Sequence, residues 1–276
     1  MSESFKVAAV QMNCAPFDVA KNLGVAVDMT VAAAEKGALL VVLPELFDTG
    51  YRVEEKDSEL ASPIPGPTTE KMASLCRDKG IFATGTVIES ANGVLYDTAF
   101  LTGPDGLVGT YRKNFLWAGE KDRFSYGDGY AVFDIGVCRL GLQICYEIGF
   151  PEGARVLALR GAEVIACPSA FGMPRLYAWD LLSRARAVEN GIYVVACNRS
   201  GTEKTDTVFA ANSRIVDPRG DLIASAGSEY DVITAEINLE NVKKQREAIP
   251  YLKDLRRNFI ADNIRECNLS TKERLG

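Results

Sequence analysis

The chain has 276 residues, 47% of them hydrophobic and 25% charged, a balance that supports a folded protein with a sizeable core. Its formal net charge is −6, its pI is about 5.0 and it has no run of five basic residues, so nucleic acid and anionic membrane surfaces are not expected partners. It contains no histidine, and its seven cysteines form no CxxC pair, so no metal site is expected and the thiols read as reduced, in a cytoplasmic protein. The N-terminus lacks the pattern of a secretory signal, and the longest apolar runs are too short to cross a bilayer.

Short β-rich runs alternate with helical patterns. "FKVAAVQM" (5–12) reads as a strand. From about Asp18 to Lys36, Leu23, Val27, Val31 and Ala34 recur at helical spacing, and Gly37 stops the helix. "ALLVVLP" (38–44) is apolar enough for a strand buried on both faces. Met72, Leu75 and Cys76 mark a second helix ended by Gly80. Strands over 81–89 and 94–102 flank the turn "SANG", and "GPDG" (103–106) is another turn. "RLGLQIC" (139–145) reads as a strand, followed by a helix over 152–160 and a strand over 162–168. Ala178, Leu181, Leu182, Ala185 and Val188 give one face of a helix within 177–190. A strand over 191–198, a hairpin over 213–226 turning at "DPRG", a strand over 231–237 and a polar helix from Asn238 follow. Residues 249–276 mix charge with Leu252, Leu255, Phe259 and Ile260 and read as a C-terminal arm for a subunit interface. With no linker or repeat, residues 1–276 read as one α/β domain with helices outside apolar sheets.

Cys145 stands where an apolar strand meets a turn, a place suited to presenting a nucleophile, yet there is no histidine to take its proton. A carboxylate moved into a dry pocket is the remaining base, and Glu45, at the end of "ALLVVLP", is the candidate. Lys113 offers positive charge for an oxyanion, and Glu120 lies seven positions on.

"LPELFDTGY", "YRKNFLWAGEKDRFSYGD", "GLQICYEIGFPEGAR" and "RARAVENGIYVVACNRSG", in that order, resemble the nitrilase superfamily of carbon–nitrogen hydrolases. The resemblance implies a four-layer α-β-β-α sandwich, a catalytic Glu45–Lys113–Cys145 triad, Glu120 as an additional pocket glutamate, no cofactor and assembly as a homodimer or higher homo-oligomer. Phe115 stands where many members have histidine, and Ala211 where similar members often have glycine. The implied activity is hydrolysis of a small-molecule amide to a carboxylic acid and ammonia through a thioester, with N-carbamoyl hydrolysis and nitrile hydrolysis as alternatives. Tyr146 directly after the nucleophile, rather than tryptophan, favours the amide.

Tyr51, Trp117, Tyr146 and Phe171 are expected as substrate-binding walls, and Glu147 at the pocket mouth or, as the alternative, in a surface salt bridge. No arginine lies near enough to the triad in sequence to promise recognition of an N-carbamoyl amino acid's carboxylate, which also favours the amide, although Arg175 and Arg199 can still fold into the pocket; Arg186 with Glu189 forms an i,i+3 ion pair. A thiol redox protein would need a resolving cysteine partner, and a non-catalytic binding protein on this scaffold would be expected to lose part of the triad.

Overall fold

A computed structural model of the chain describes residues 4–267; residues 1–3 and 268–276, the latter ending the expected arm, lie outside the described residues. The first apolar run forms β1 (Ser4–Gln11), with Val7 and Ala9 in the core between two sheets and Ala8 and Val10 under the outer helices. In β2 (Ala38–Val42), Leu40 and Val42 face the shared core and Val41 the helices. β3 (Phe82–Ala91), β4 (Val94–Gly103) and β5 (Gly106–Arg112) extend the sheet as an antiparallel meander. The second sheet takes β6 (Val132–Asp134), β7 (Arg139–Leu142), β8 (Val164–Ser169) and β9 (Tyr193–Asn198). A small hairpin, β10 (Thr202–Glu203) with β11 (Thr207–Val208), precedes β12 (Arg214–Val216) and β13 (Leu222–Ser225). β14 (Asp231–Asn238) returns to pair antiparallel with β1, from Ser4 opposite Asn238 to Gln11 opposite Asp231.

The sheet orders are β14-β1-β2-β3-β4-β5 and β13-β12-β9-β8-β7-β6. Four parallel pairings, β1 with β2, β2 with β3, β7 with β8 and β8 with β9, are each crossed by one long helix: Val19–Glu35, Pro67–Lys79, Pro151–Leu159 and Leu176–Asn190. Ala26, Ala33, Met72 and Cys76 cover the outside of the first sheet, and Ala154, Leu157, Trp179 and Ala187 that of the second. The four expected layers are therefore present. The parallel strands release their carboxyl ends on one edge, where the residues after β2, β7, β8 and β9 are Glu45, Cys145, Phe171 and Arg199. β5, reached from β3 by two antiparallel steps, runs the same way and delivers Lys113 to that edge.

Two helical faces differ from expectation. In Val19–Glu35 the buried residues are Asn22, Ala26, Thr30 and Ala33, one position before the expected row, which flanks them half-buried. Small side chains let the helix sit close to the sheet, and Asn22 is held by backbone carbonyls of Ala15 and Asp48. In Leu176–Asn190 the buried residues are Trp179, Ser183, Arg186, Ala187 and Asn190, whereas Leu181 is 66% exposed and Tyr177 76%. Trp179 Nε1 donates to the Asn212 carbonyl and Arg186 reaches the turn after Cys145, and these anchors set the helix rotation. The strand expected over 139–145 ends at Leu142, since the backbone turns at Cys145. Ala211, at the place read as glycine in similar chains, has φ of 50°, a conformation in which a Cβ is strained.

Candidate active site

Cys145 opens a 3₁₀ turn, Cys145–Gly149, with φ of 47°. A non-glycine residue held there is strained by about 1–2 kcal/mol, and its neighbours must fix it. Arg186 supplies one clamp: it donates to the carbonyls of Ile148 at 2.8 Å and Gly149 at 3.2 Å, and it pairs with Glu189 at 2.9 Å as the spacing implies.

Glu147 supplies the other clamp. Its carboxylate accepts from the Tyr111 hydroxyl at 2.7 Å and from the backbone N–H groups of Asn114 and Ile144, both at 2.7 Å. It is fully buried and joins the nucleophile turn to the Lys113 loop, which corrects the expectation of a substrate contact at the pocket mouth. Burial pushes its carboxyl from 4.5 up to about 7, against the bonds from Tyr111, Ile144 and Asn114. Because the folded value lies above the unfolded one, Glu147 favours the fold fully below pH 4.5, and that contribution is lost as pH rises through about 7. Glu147→Gln is expected to flatten this stretch of the stability–pH curve, measured by thermal melts across it.

Glu45, Lys113 and Glu120 meet as expected, all buried. Lys113 Nζ lies 2.5 Å from Glu45 Oε1, 2.9 Å from Glu120 and 3.5 Å from Asp97 Oδ2. Oxygens of these three carboxylates lie within 4.8 Å of one another, a grouping able to ligate a cation, and the ammonium of Lys113 pairs with all three. Glu45 also accepts from the Ala170 amide at 2.8 Å. Glu120 accepts from the Tyr51 hydroxyl at 2.5 Å and the Trp117 amide at 2.7 Å, so it is a held pocket group rather than a solvated loop acid.

Burial pushes the Glu45 carboxyl well above the ordinary carboxylate range; Asp97 and Glu120 add to the rise and Lys113 opposes it. Burial also works to lower Lys113, but Glu120, Glu45 and Asp97 outweigh it and hold the ammonium protonated. The Cys145 thiol is pushed well up by burial and by the Glu45 carboxylate, so the resting sulfur carries its proton and needs a base during attack.

A cavity of about 580 Å³ opens onto Cys145 and Glu120. The expected walls Tyr51, Trp117, Tyr146 and Phe171 all line it; Trp117 and Tyr146 have ring centroids 4.8 Å apart. Phe115 stacks on Phe150 at 4.0 Å behind this wall. Arg175 lines the cavity with its guanidinium 4.5 Å over Trp117 and 5.7 Å from Phe171, and it forms no ion pair among the described residues. Arg199 does not enter the cavity. It is buried, pairs with Glu203 and lies 4.1 Å over the Phe209 ring. Glu203 in turn accepts from the amides of Tyr51 and Arg52, and Arg123 ties the Tyr51 carbonyl to Asp57, so the Tyr51 loop is fixed from two sides. Sequence reasoning missed Asp97, whose signal was a lone acid inside the apolar strand "VLYDTAFLT".

A family model described as carbon-nitrogen hydrolase matches residues 6–247. The chain belongs to this family. The hydrolase is 42% identical over 246 residues to a protein named nitrilase from Pyrococcus abyssi, covering 87% of this chain and 92% of that one. It is 37% identical to omega-amidase NIT2-A from Xenopus laevis, over 95% and 98% of the two chains. Nit3 from Saccharomyces cerevisiae, a member of branch 10 of the nitrilase superfamily, has the same fold with a TM-score of 0.85 at 30% identity, over 92% of this chain and 96% of that one. An amidase from Nesterenkonia sp. AN1 in complex with acrylamide also gives a TM-score of 0.85, at 26% identity over 95% and 97%. The hydrolase is thus an enzyme of the nitrilase superfamily, of the amidase type.

Proposed function

We propose that this enzyme hydrolyses the terminal amide of a small carboxylic acid, giving a dicarboxylic acid and ammonia. The observation that carries the reading is a buried acid–ammonium–acid set beside a cysteine that opens onto an aromatic cavity. Glu45 takes the Sγ proton of Cys145 as the sulfur attacks the amide carbon. Lys113 and the Tyr146 amide stabilise the oxyanion. The C–N bond then breaks, Glu45 returns the proton to the leaving nitrogen as ammonia, and a thioester remains on Cys145. Water, deprotonated by Glu45, attacks that carbonyl and releases the acid and the thiol. Glu120 fixes Lys113 and the substrate nitrogen. Support for covalent chemistry comes from the Nesterenkonia amidase, a form of which carries the acetamide moiety of fluoroacetamide on its active-site cysteine.

Arg175 supports the second part of the reading. Its guanidinium lies 4.5 Å over Trp117 and lines the cavity without an acidic partner among the described residues, a fit for the distal carboxylate of the substrate. The relatives named omega-amidase point the same way. Arg175→Gln is expected to raise KM for such an acid amide by about 10- to 100-fold, the loss of a charged hydrogen bond, and to leave a neutral amide of similar size nearly unchanged. Equal effects on both substrates would contradict the assignment. On a panel of amides, N-carbamoyl amino acids and nitriles, ammonia and acid should form one to one from the best substrate with no carbon dioxide. The relative named nitrilase keeps nitrile hydrolysis as the second reading, identified by faster ammonia release from a nitrile than from its amide.

We also propose that two copies pair through the exposed side of helix Leu176–Asn190 and the C-terminal arm. The short helix Tyr251–Asp254 packs on Leu176–Asn190; Phe259, Ile260 and Ile264 of the arm helix, Arg257–Cys267, are 42–52% exposed, and Tyr177 and Leu181 are exposed further still. Deleting residues 249–276 is expected to lower the mass measured by light scattering; an unchanged mass and stability would refute the arm's role. Cys14, Cys76, Cys138, Cys145, Cys167 and Cys197 are free and buried, which supports a reducing compartment such as the cytoplasm, and no described helix is long and apolar enough to cross a membrane.

A further inference from the structure

Asp97 sits inside β4, fully buried, with no well-formed hydrogen bond to either carboxylate oxygen; the Thr86 hydroxyl and the Lys113 ammonium are the donors that face it. Such a group is costly to bury unless something else satisfies it. What it faces is the catalytic set: Lys113 Nζ is 3.5 Å from Oδ2, and Glu45 and Glu120 lie within the same 4.8 Å grouping. The backbone reinforces the placement, since the Lys113 amide donates to the Asp97 carbonyl at 2.9 Å. Three ionised carboxylates around one ammonium would leave two uncompensated negative charges in a dry interior, at a cost of several kcal/mol per ion. Glu45 is the member of the set that takes a proton in the reaction proposed above, and the Asp97 charge makes that uptake easier.

We propose that Asp97 is a positioning residue of this active site: its negative charge favours proton uptake by Glu45, and its carboxylate helps to seat the Lys113 ammonium. The inference rests on the reading of Glu45 as the base. The groups facing Asp97 are Glu45 from the end of β2, Lys113 from the end of β5, Glu120, and the Thr86 hydroxyl on β3; Tyr51 bonds Glu120 and Cys145 lies beyond Glu45. Asp97 keeps its charge while Glu45 accepts and returns the proton of Cys145. Asp97 thereby keeps Glu45 basic enough to serve a buried thiol, and burial acts on both carboxyls in that direction.

The test is the pH profile of kcat/KM for Asp97→Asn, which keeps the shape of the side chain and removes its charge. The acid limb should move to lower pH by about one unit and the plateau should fall by roughly three- to tenfold, as Glu45 becomes a weaker base. A folded Asp97→Asn enzyme with the wild-type acid limb and a plateau within about twofold would overturn the inference. Asp97→Ser is read by the same profile if the Asn variant does not fold. Infrared difference spectra give a second readout: a protonated-carboxyl band should titrate at lower pH in Asp97→Asn than in the wild type, with Glu147 contributing equally to both, and an unchanged titration would also overturn the proposal. Glu45→Gln separates the two layers, because activity retained in that variant defeats the base assignment, leaving the infrared band to decide on Asp97.

Discussion

Cys145→Ala is expected to reduce turnover by about 10⁴-fold or more, since it removes the atom that forms the covalent intermediate. Melting temperature should stay within a few degrees of wild type, because the side chain faces a cavity and the turn is held by Glu147 and Arg186 instead. Cys145→Gly should be equally inactive yet more stable than Cys145→Ala by on the order of 1 kcal/mol, because glycine accepts the positive φ without a Cβ clash. The pair of variants separates the chemical role of the sulfur from the strain of the position that presents it. Residual activity in the alanine variant, above a mock preparation, would show that another group attacks the substrate.

Glu45→Gln is the second large effect, a loss of roughly 10²- to 10⁴-fold in kcat, because it deletes the only carboxylate assigned to move the thiol proton while keeping the bond to Lys113 possible. The wild-type profile carries the same information. Burial raises Glu45 well above the ordinary carboxylate value of 4.5, and attack requires its unprotonated form. Activity should therefore fall with acid already above pH 4.5, and Lys113, held protonated by its three carboxylates, should not limit the alkaline side near neutrality. An acid limb at the value of a solvated glutamate would mean that Glu45 is not the base.

The residues that punctuate strands were legible in the sequence. Glu45 follows a continuous apolar run closed by proline, and Cys145 ends another, so both fall at the carboxyl edge of a parallel sheet, where loop residues converge. Lys113 was legible for the same reason at the end of β5. Glu147 misled because it follows the nucleophile by only two positions, but the 3₁₀ turn that opens at Cys145 swings position 147 behind the nucleophile. The apolar stripe of Leu176–Asn190 was visible as periodicity, but the sequence does not say which face the buried Trp179 and Arg186 claim, and their hydrogen bonds override the stripe. Asp97 was hidden because its partners arrive from strands distant in sequence, and only the meander brings β4 against the ends of β2 and β5. Arg175 became meaningful once its ring partners placed it in the cavity.

The central claim is that Cys145 carries the acyl group of an amide substrate while ammonia leaves. Mixing the enzyme with a slowly turned-over amide, quenching in acid within the first turnovers and mapping peptides by mass spectrometry tests it directly. An acyl group is expected on the peptide containing Cys145, formed with one equivalent of ammonia and lost as the acid appears. Full turnover with Cys145 unmodified at every quench time, or an acyl group found only on another residue, would contradict it.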